Sequence, residues 1–289
     1  MDLSIDPSLG LRALDRPGPV VMGILNTTPD SFSDGGKWGT IDRAVSHAER
    51  MLADGAHLID VGGESSRPGA EPVDRDTELG RVIPVIERLA GRCILSIDTA
   101  KPEVAEAALD AGAHIVNDIT ASLDEVAGSR GAGWIAMHMR GEPRTMQENP
   151  TYDDVVDDVT ESLLDYTARG NRAGVAKLWL DPGIGFGKTT NHNLNLLRSI
   201  KNLTRVGPEL VIGVSRKRVI GQIHALSDGN HAETVPVHDR LEGSTLSAVW
   251  SWWEGSHIVR AHDVRSAACA ARLVTLARTA RNNGITTED

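Results

Sequence analysis

The chain has 289 residues, of which 40% are hydrophobic, and a formal net charge of −10 at pH 7. This length suits two average domains or one large α/β barrel, since such barrels commonly span about 250 residues. The acidic charge and the lack of a Lys/Arg run argue against nucleic acid or an anionic membrane as a partner, because the net field repels phosphates.

No stretch of the sequence reaches the roughly 18 consecutive apolar residues that a membrane helix needs. Residues 1–10 also lack the basic and then apolar pattern of a signal segment. We therefore expect a cytoplasmic protein.

Eight short aliphatic runs, each closed by a polar residue, predict eight buried strands. In chain order they are 20–25 with Asn26, 58–59 with Asp60, 94–97 with Asp98, 115–116 with Asn117, 134–137 with His138, 178–180 with Asp181, 210–214 with Ser215, and 258–259 with Arg260. Helical patterns alternate with them at about 41–54, 77–89, 102–111, 123–129, 152–172, 194–203, 240–253 and 264–281.

A glycine precedes four of these strands, at Gly55, Gly112, Gly174 and Gly255. Each stands where a helix ends, so we predict left-handed backbone there. Buried strands that alternate with helices pair in parallel, and eight repeats favour a closed (β/α)8 TIM barrel over an open sheet. No interior linker rich in Pro, Gly or Ser divides the chain, so residues 1–289 are predicted to form a single domain.

The carboxyl ends of all eight strands meet at one mouth of such a barrel, where barrel enzymes hold their active sites. Polar residues at or just after the predicted strand ends are therefore expected to share one pocket, although some of them are expected to be structural. They are Asn26, Glu64, Ser66, Arg67, Asp98, Asn117, Asp118, His138, Asp181, Ser215, Arg216, Lys217, Arg260 and His262.

Three of these residues, Asp98, Asn117 and Asp181, end aliphatic strands and are expected to be partly desolvated. A carboxylate in such a place needs hydrogen-bond donors to stay ionised. The amino and ring N–H groups along one edge of a heterocycle supply such donors. The alternative is that backbone amides of the following helix satisfy these side chains.

The run Ser215-Arg216-Lys217-Arg218 places three cations directly after a strand, with apolar residues on both sides. A solvated charge run would not be framed in this way. Lys217 is therefore a candidate to donate to a carbonyl or a ring nitrogen of a ligand. Alternatively, with a lowered pKa, it forms a Schiff base as in barrel aldolases.

Arg260 and His262 end the last strand and Asn26 ends the first, so closure of the barrel makes them neighbours. Together they suit a diphosphate with a divalent cation. Arg binds phosphates through bidentate hydrogen bonds, His donates to them, and Asn offers an oxygen to a metal. The structural alternative is that His262 caps the last helix, although Asp263 is the better candidate for the cap.

Two long glycine-rich segments, 27–39 and 62–72, predict loops that close over substrates. In the second loop, Arg67 is a candidate to pair with a substrate carboxylate. Ser66 offers a hydroxyl beside it.

Two stretches carry a family resemblance. Residues 23–36 read GILNTTPDSFSDGG and residues 60–69 read DVGGESSRPG, and both resemble the most specific motifs of the dihydropteroate synthase family. The family joins 6-hydroxymethyl-dihydropterin diphosphate to p-aminobenzoate in folate biosynthesis. Further matches lie at 96–104, 137–141, 145–147, 181–188, 215–217 and 260–264.

The resemblance implies a role for most residues of the predicted mouth. The pterin is expected to bind Asp98, Asn117, Asp181 and Lys217, with Met137 and Phe186 as apolar walls. The diphosphate and Mg²⁺ are expected to bind Asn26, Arg260 and His262. The p-aminobenzoate is expected to bind Ser66, Arg67 and Ser215. The same resemblance implies catalytic roles for Lys217, Arg260 and His262, and a homodimer. In the family reaction the C–O bond to diphosphate breaks early and leaves a methylene cation that the arylamine attacks.

The chain also departs from the family pattern in places. Ser66 stands where Thr is usual, Thr120-Ala121 stands where a Ser-Gly pair is usual, and the segment from there to Met137 is several residues shorter. These departures resemble a divergent second copy of the enzyme. The alternative hypothesis is therefore an inactive or repurposed homologue that binds pterin or sulfa-type ligands without turnover. A third hypothesis is a different barrel enzyme, either an aldolase or a pterin-dependent methyltransferase.

Trp250 and Trp253 stand on the seventh predicted helix, where the family usually has small residues. They are three positions apart and so share a helical face. We predict that they pack in the core or at a seam between subunits, which is where the family pairs its subunits.

Overall fold

The computed structural model describes residues 6–28, 36–65, 70–229 and 234–282. Its sheet is a closed barrel of eight parallel strands in chain order, and β1 pairs with β8 to complete the ring. The strands are β1 Val20–Asn26, β2 Leu58–Gly62, β3 Ile94–Asp98, β4 Ile115–Asp118, β5 Gly133–Met137, β6 Lys177–Asp181, β7 Glu209–Ile212 and β8 Ile258–Ala261. The predicted (β/α)8 TIM barrel is confirmed.

Helices follow the strands and surround the barrel. They are α1 Gly36–Ala53, α2 Arg75–Leu89, α3 Pro102–Asp110, α4 Asp124–Ser129, α5 Val155–Ala173, α6 Thr190–Arg198, α7 Ile200–Leu203, α8 Arg218–Ser227, α9 Leu241–Trp253 and α10 Val264–Asn282. The predicted helix at 194–203 is in fact two helices, α6 and α7, which meet at Ser199. Helix α8 is not predicted from the sequence, since eight strands already have eight helices without it.

The predicted glycine helix ends are confirmed. Gly55, Gly112, Gly174 and Gly255 all have positive φ, at 106°, 112°, 71° and 109° respectively. Glycine adopts these values without the steric cost that a Cβ atom brings. The chain can therefore turn at once from a helix into the next strand.

The barrel interior has an apolar floor below a polar mouth. The floor is formed by Val20, Met22, Leu58, Ile94, Ile115, Ile135, Trp179, Val211 and Ile258. It is covered from below by a 3₁₀ helix, Pro7–Leu14, which packs Leu11 and Leu14 against it. A second and larger apolar cluster fills the layer between the barrel and the helices.

Strand register decides which polar residues enter the mouth. Residues two apart on a strand point to the same side. Asp60, Asn117, Asp181 and Arg260 each stand two positions after a floor residue, and Asp98 stands four positions after Ile94. Asp60, predicted to close its strand, instead lies in the middle of β2 and points inward.

The three tryptophans of α9 have different surroundings. Trp252 is fully buried, whereas Trp250 and Trp253 are 47% and 44% exposed. The prediction that the latter two pack in the core is therefore wrong, and the alternative of a subunit seam stays a prediction.

No helix in the described part of the chain has the length and apolar character needed to cross a membrane. The extent of the domain, 1–289, stays a prediction, since residues 1–5 and 283–289 lie outside the described ranges.

Candidate active site

Arg260 forms the centre of the polar network in the barrel mouth. Its Nε donates to Asp60 Oδ2 and its Nη2 donates to Asp98 Oδ2, each at 2.6 Å. Asn117 Nδ2 also donates to Asp60 Oδ2, at 3.0 Å. Although burial opposes it, the Asp60 and Asp98 carboxylates raise the pKa of Arg260 above its ordinary value. A permanent cation thus ties β8 to β2 and β3, and Asn117 adds β4 through Asp60.

Asp60 is the residue of this network to which no role is assigned from the sequence. It is fully buried, as a carboxylate can be when it is paired. The inward register of β2 is the signal that identifies it, because Asp60 follows the floor residue Leu58 by two positions. Strand alternation along β2 alone therefore places Asp60 on the inward face.

Asp98 is desolvated, as its place at a strand tip predicts. Burial raises its pKa to about 7, and the neighbouring Arg260 guanidinium opposes that rise. The donor that faces its Oδ2 is this guanidinium. Asp98 therefore changes its protonation state near neutral pH.

Asp181 and Lys217 face each other across Gly213. A Cβ atom on Gly213 would lie 3.8 Å from Asp181 Oδ2 and 3.7 Å from Lys217 Nζ. Burial raises the pKa of Asp181, against the effect of Lys217, and Asp181 Oδ1 accepts from Gly183 N at 2.7 Å. Burial lowers the pKa of Lys217 to about 8, and its Nζ donates to the carbonyl oxygen of Ile184.

An apolar wall stands beside this pair. Met137, Met146 and Phe186 form a buried cluster on which Ile119 and Met139 pack. Lys217 Nζ lies 4.3 Å from the centroid of the Phe186 ring. The two residues predicted as walls, Met137 and Phe186, thus lie together, and Met146 joins them without having been assigned a role from the sequence. A flat apolar wall next to donors and acceptors suits a planar heterocycle.

The turn after β6 approaches its neighbours too closely for side chains. Gly183 and Gly187 have φ of 67° and 61°, in the left-handed region. A Cβ atom would lie 1.7 Å from His138 O at Gly183, and 2.1 Å from Arg140 O at Gly187. Glycine is therefore required at both positions, because the turn must lie flat against the end of β5.

The other side of the mouth contains the residues expected to bind phosphate. Ser215 Oγ lies 3.1 Å from both the backbone N and the Nδ1 of His262. Asn26 ends β1, which pairs with β8, so it lies on the same side of the ring. The side chain of Asp263, the alternative helix cap, pairs with Arg216 at 2.5 Å.

Asp118 is the clearest exception among the residues expected in the pocket. Its carboxylate accepts from the backbone N of Thr120, Ser122 and Leu123 and from Trp134 Nε1. The reason is alternation along β4, since Asn117 points inward and the next residue points outward. The expectation that Asp118 faces the pocket is therefore wrong.

Three further residues of the expected set have structural partners. Glu64 pairs with Lys101, His138 hydrogen-bonds Lys188, and Arg216 pairs with Asp263. Arg216 also has a φ of 58°, uncommon for a residue with a side chain. Strain of this kind next to Ser215 and Lys217 is typical of a functional turn.

The departure at Thr120-Ala121 leaves the neighbouring site residue in place. Asp118 Oδ1 accepts from Thr120 Oγ1 at 2.7 Å, and helix α4 is only six residues long. Ala121 has a φ of 49°, a value that favours the glycine usual in the family. Asn117 nevertheless donates to Asp60, so the shortened segment does not displace it.

The second predicted loop is anchored where it leaves β2. Lys101 Nζ donates to Glu64 and to Glu78 Oε2, the latter at 2.6 Å, and Glu78 is fully buried. Arg81 Nη1 donates to Gly63 O at 2.8 Å. Ser66 and Arg67, like residues 29–35 of the first loop, lie outside the described residues.

The described residues contain no group of three or more His, Cys, Asp or Glu that could hold a metal ion. Asn26 offers an amide oxygen at the phosphate side of the mouth. Mg²⁺ usually keeps several waters and takes one or two protein ligands together with substrate phosphates. This donor set fits an ion held chiefly by a bound diphosphate, and it does not fit an all-protein metal cage.

The fold and the mouth define a class of protein. It is a TIM-barrel enzyme whose mouth holds an arginine bonded to two carboxylates, and a lysine that lies over an aromatic ring close to a further carboxylate. The family described as pterin binding enzyme matches residues 22–262, and the chain belongs to that family.

Named relatives give the particular type of enzyme. The dihydropteroate synthase of Escherichia coli strain K12 is 45% identical over 279 residues, which cover 94% of this chain and 96% of that protein. The structure of Yersinia pestis dihydropteroate synthase with a sulfonamide drug complex matches with a TM-score of 0.83 and 43% identity, over 92% of this chain and 96% of that one. The Xanthomonas albilineans enzyme with 4-aminobenzoic acid gives a TM-score of 0.81 and 39% identity, over 93% and 94%.

The main functional expectation from the sequence, an enzyme of the dihydropteroate synthase type, is confirmed by these relatives. Neither a Schiff-base aldolase nor a methyltransferase is needed to explain Lys217. Its ammonium lies close to the Asp181 carboxylate and 4.3 Å from the centroid of the Phe186 ring.

Proposed function

We propose that the chain joins 6-hydroxymethyl-7,8-dihydropterin diphosphate to p-aminobenzoate with release of diphosphate. The observation that carries this proposal is the pair of Asp181 and Lys217 over Gly213, beside the ring of Phe186. The pair offers an acceptor and a donor close together, next to an apolar surface. A pterin presents the complementary edge.

The pterin is proposed to lie against Phe186 and Met137. Its amino and ring N–H groups donate to the carboxylate of Asp181, and its carbonyl group accepts from Lys217. Asn117 and Asp98 bind the other end of the ring system. Binding in this way supplies the donors that the desolvated carboxylates need.

The diphosphate is proposed to lie toward β8 and β1. Arg260 already donates from Nε and Nη2 to Asp60 and Asp98, and we assign its Nη1 donors to the diphosphate. His262 donates beside it, and Asn26 is the protein ligand for Mg²⁺. When bound, Mg²⁺ neutralises charge on the leaving group.

The reaction requires a stabilised leaving group and an ordered nucleophile more than a strong base. As the C–O bond to diphosphate breaks, positive charge develops on the methylene carbon, and the buried carboxylates around it stabilise that charge. The amine of p-aminobenzoate then forms the C–N bond and loses a proton. Ser66, Arg67 and Ser215 are proposed to hold the aminobenzoate in line for this attack.

We also propose a homodimer that pairs through α9 and α10. Leu246, Trp250 and Trp253 of α9 and Leu273 and Leu276 of α10 are large apolar side chains exposed to solvent. The two helices pack against each other, and we refer to these five exposed side chains together as the α9/α10 apolar face. Surfaces of this kind mark sites of protein association.

A cytoplasmic location stays a prediction.

The alternative of an inactive homologue gains no support from the structure or from the relatives. The main reason for this alternative is the shortened segment after Asn117. In the structure, Asn117 still donates to Asp60. Calorimetry with the pterin diphosphate and a diphosphate-release assay separate the two readings. Binding with turnover supports the synthase, whereas binding without turnover supports the inactive homologue.

A further inference from the structure

Lys188 ends the matching stretch at 181–188 and has no role in the proposed reaction. Its side chain is buried, with 2% of the residue exposed. Its Nζ donates to His138 Nδ1 at 2.9 Å, to Phe186 O at 3.0 Å and to His138 O at 3.4 Å. An ammonium has three N–H groups, so each proton of Lys188 has an acceptor.

These contacts indicate the charged form of Lys188. A neutral amine has two N–H groups, and one of the three acceptors would then lose its donor. Burial, aided by the Lys217 and Arg140 cations and opposed by Asp181, lowers the pKa of Lys188 to about 7, so the ammonium is the main form below neutral pH. Burial, aided by the Lys188 and Arg140 cations, lowers the pKa of His138 to about 3, which leaves its ring neutral and able to accept.

The ammonium lies directly behind the turn that follows Asp181. A Cβ atom on Gly183 would lie 3.4 Å from Lys188 Nζ, and Gly183 N is the donor to Asp181 Oδ1. Lys217 is on the other side, across Gly213. The Asp181 carboxylate therefore has a cation in the mouth and another behind its turn, and both lower its pKa against the effect of burial.

Neutral hydrogen bonds hold the same turn at other points. Tyr152 Oη donates to Gly187 O at 2.9 Å, and Gln147 Nε2 donates to Gly185 O at 2.6 Å. The charged groups that face Lys188 are Arg140 after β5, Asp181 on β6 and Lys217 after β7. Two neutral groups also lie close: His138 accepts from Lys188 Nζ, and the centroid of the Tyr152 ring lies 5.9 Å from that atom. Lys217 Nζ donates to Ile184 O of the same turn from the mouth side, so Lys188 adds a second ammonium, on the opposite side of the turn.

We propose that Lys188 is a positioning residue for pterin recognition, whose buried ammonium holds the 183–187 turn in place and stabilises ionised Asp181 from behind. It acts through two groups that face the ligand, the carboxylate of Asp181 and the ring of Phe186. The proposal rests on the proposed function, in which Asp181 binds the pterin.

The test is calorimetric titration of 6-hydroxymethyl-7,8-dihydropterin into the wild type, Lys188→Ala and Tyr152→Phe. In Lys188→Ala the affinity falls by at least about 10-fold, as expected when a hydrogen-bonded charge is removed. Propylammonium restores the affinity, because it replaces the missing side-chain atoms and their charge, whereas 1-propanol does not. Tyr152→Phe is the matched control, since it removes a neutral bond from the same turn, and propylammonium does not reverse its smaller loss.

Folded Lys188→Ala that binds within about twofold of the wild type contradicts the proposal, and so does equal rescue by 1-propanol. If near-UV circular dichroism shows that Lys188→Ala is unfolded, His138→Leu replaces it, because it removes one acceptor of the ammonium. Wild-type affinity in His138→Leu also contradicts the proposal, and weakened affinity supports it. Absence of pterin binding by the wild type would instead count against the proposed function.

Discussion

Arg260 and Asp60 form an ion pair between residues 200 positions apart in sequence, with Nε and Oδ2 separated by 2.6 Å, in which Asp60 is fully buried and Arg260 is partly buried. The pair joins β8 to β2 at the level where the apolar floor of the barrel gives way to the polar mouth. Because Asp60 also accepts from Asn117, the orientation of two proposed ligand-binding side chains depends on one carboxylate.

Asp60→Ala is expected to lower both stability and activity. It leaves the Arg260 guanidinium partly unpaired in a buried site, a change that costs about 3–5 kcal/mol in comparable pairs. Urea unfolding gives the stability change, and steady-state kinetics give the loss in kcat/KM. Asp60→Asn is the matched control, because it keeps a side-chain oxygen for Arg260 and should lose less. Equal and small effects in the two variants would show that the pair does not organise the mouth.

The pH dependence of kcat/KM for the pterin substrate is expected to be bell-shaped. Burial raises the pKa of Asp98 to about 7, so its carboxylate forms as pH rises through that value. Burial lowers the pKa of Lys217 to about 8, so its ammonium is lost as pH rises further. The midpoints of the acid and alkaline limbs therefore reflect the interacting residues of the mouth together. The ammonium of Lys188, whose pKa burial lowers to about 7, is lost over the same range. Lys217→Arg should therefore change the shape of the alkaline limb without abolishing it, and a profile identical to that of the wild type would contradict the assignment.

Asp98 should also make stability depend on pH. Its pKa in the folded state lies above the ordinary value of an aspartate, so the folded state binds more protons than the unfolded state between about pH 4 and pH 7. The free energy of unfolding should therefore fall as pH rises through this window. Asp98→Asn does not titrate, and subtraction of its pH profile from that of the wild type isolates the contribution. An increase with pH in the difference would reverse the sign predicted here.

Gly183→Ala and Gly174→Ala form a matched pair of substitutions. Both residues have positive φ, at 67° and 71°, so both variants incur the left-handed cost of about 1–2 kcal/mol. A Cβ atom on Gly174 meets nothing within 4 Å, whereas one on Gly183 would lie 1.7 Å from His138 O. Gly183→Ala should therefore destabilise more and also weaken pterin binding. Similar melting curves for the two variants would mean that the turn can move away from β5.

The α9/α10 apolar face predicts the assembly state. Leu246→Asp combined with Leu273→Asp should convert a dimer into a monomer, because two charges per subunit would have to be buried in the seam. Sedimentation velocity measures the outcome. Leu164→Asp is the control, since Leu164 is an exposed leucine on α5, away from this face. A wild type that sediments as a monomer would refute the dimer.

The sequence predicted the barrel because an aliphatic run followed by a polar residue occurs eight times, in alternation with helical patterns, and each run corresponds to one strand of the barrel. They also placed Asp98, Asn117, Asp181 and Arg260 at one mouth, because parallel strands end on the same side. Residue type and position along the strands also divided these residues between the edge of a heterocycle and a diphosphate, and the family resemblance identified the heterocycle as a pterin.

Other features could not be predicted from residue type and spacing. Asp118 and Asn117 are adjacent polar residues, and only strand register shows that one points outward to the α4 turn while the other points inward. His138 directly follows β5, yet its Nδ1 accepts from Lys188, a partner 50 positions away. Long-range partners of this kind depend on how the helices and turns pack, which spacing along one strand does not report.

The most direct test of the central claim is diphosphate release from 6-hydroxymethyl-7,8-dihydropterin diphosphate in the presence of p-aminobenzoate and Mg²⁺, measured with a coupled assay. We expect the wild type to turn over and to require both substrates. Lys217→Ala and Asp181→Asn, if folded, should each lose at least about 10-fold in kcat/KM, because each removes a charged hydrogen bond to the pterin. Wild-type turnover no faster than that of Lys217→Ala would contradict the assignment of the barrel mouth as a dihydropteroate synthase active site.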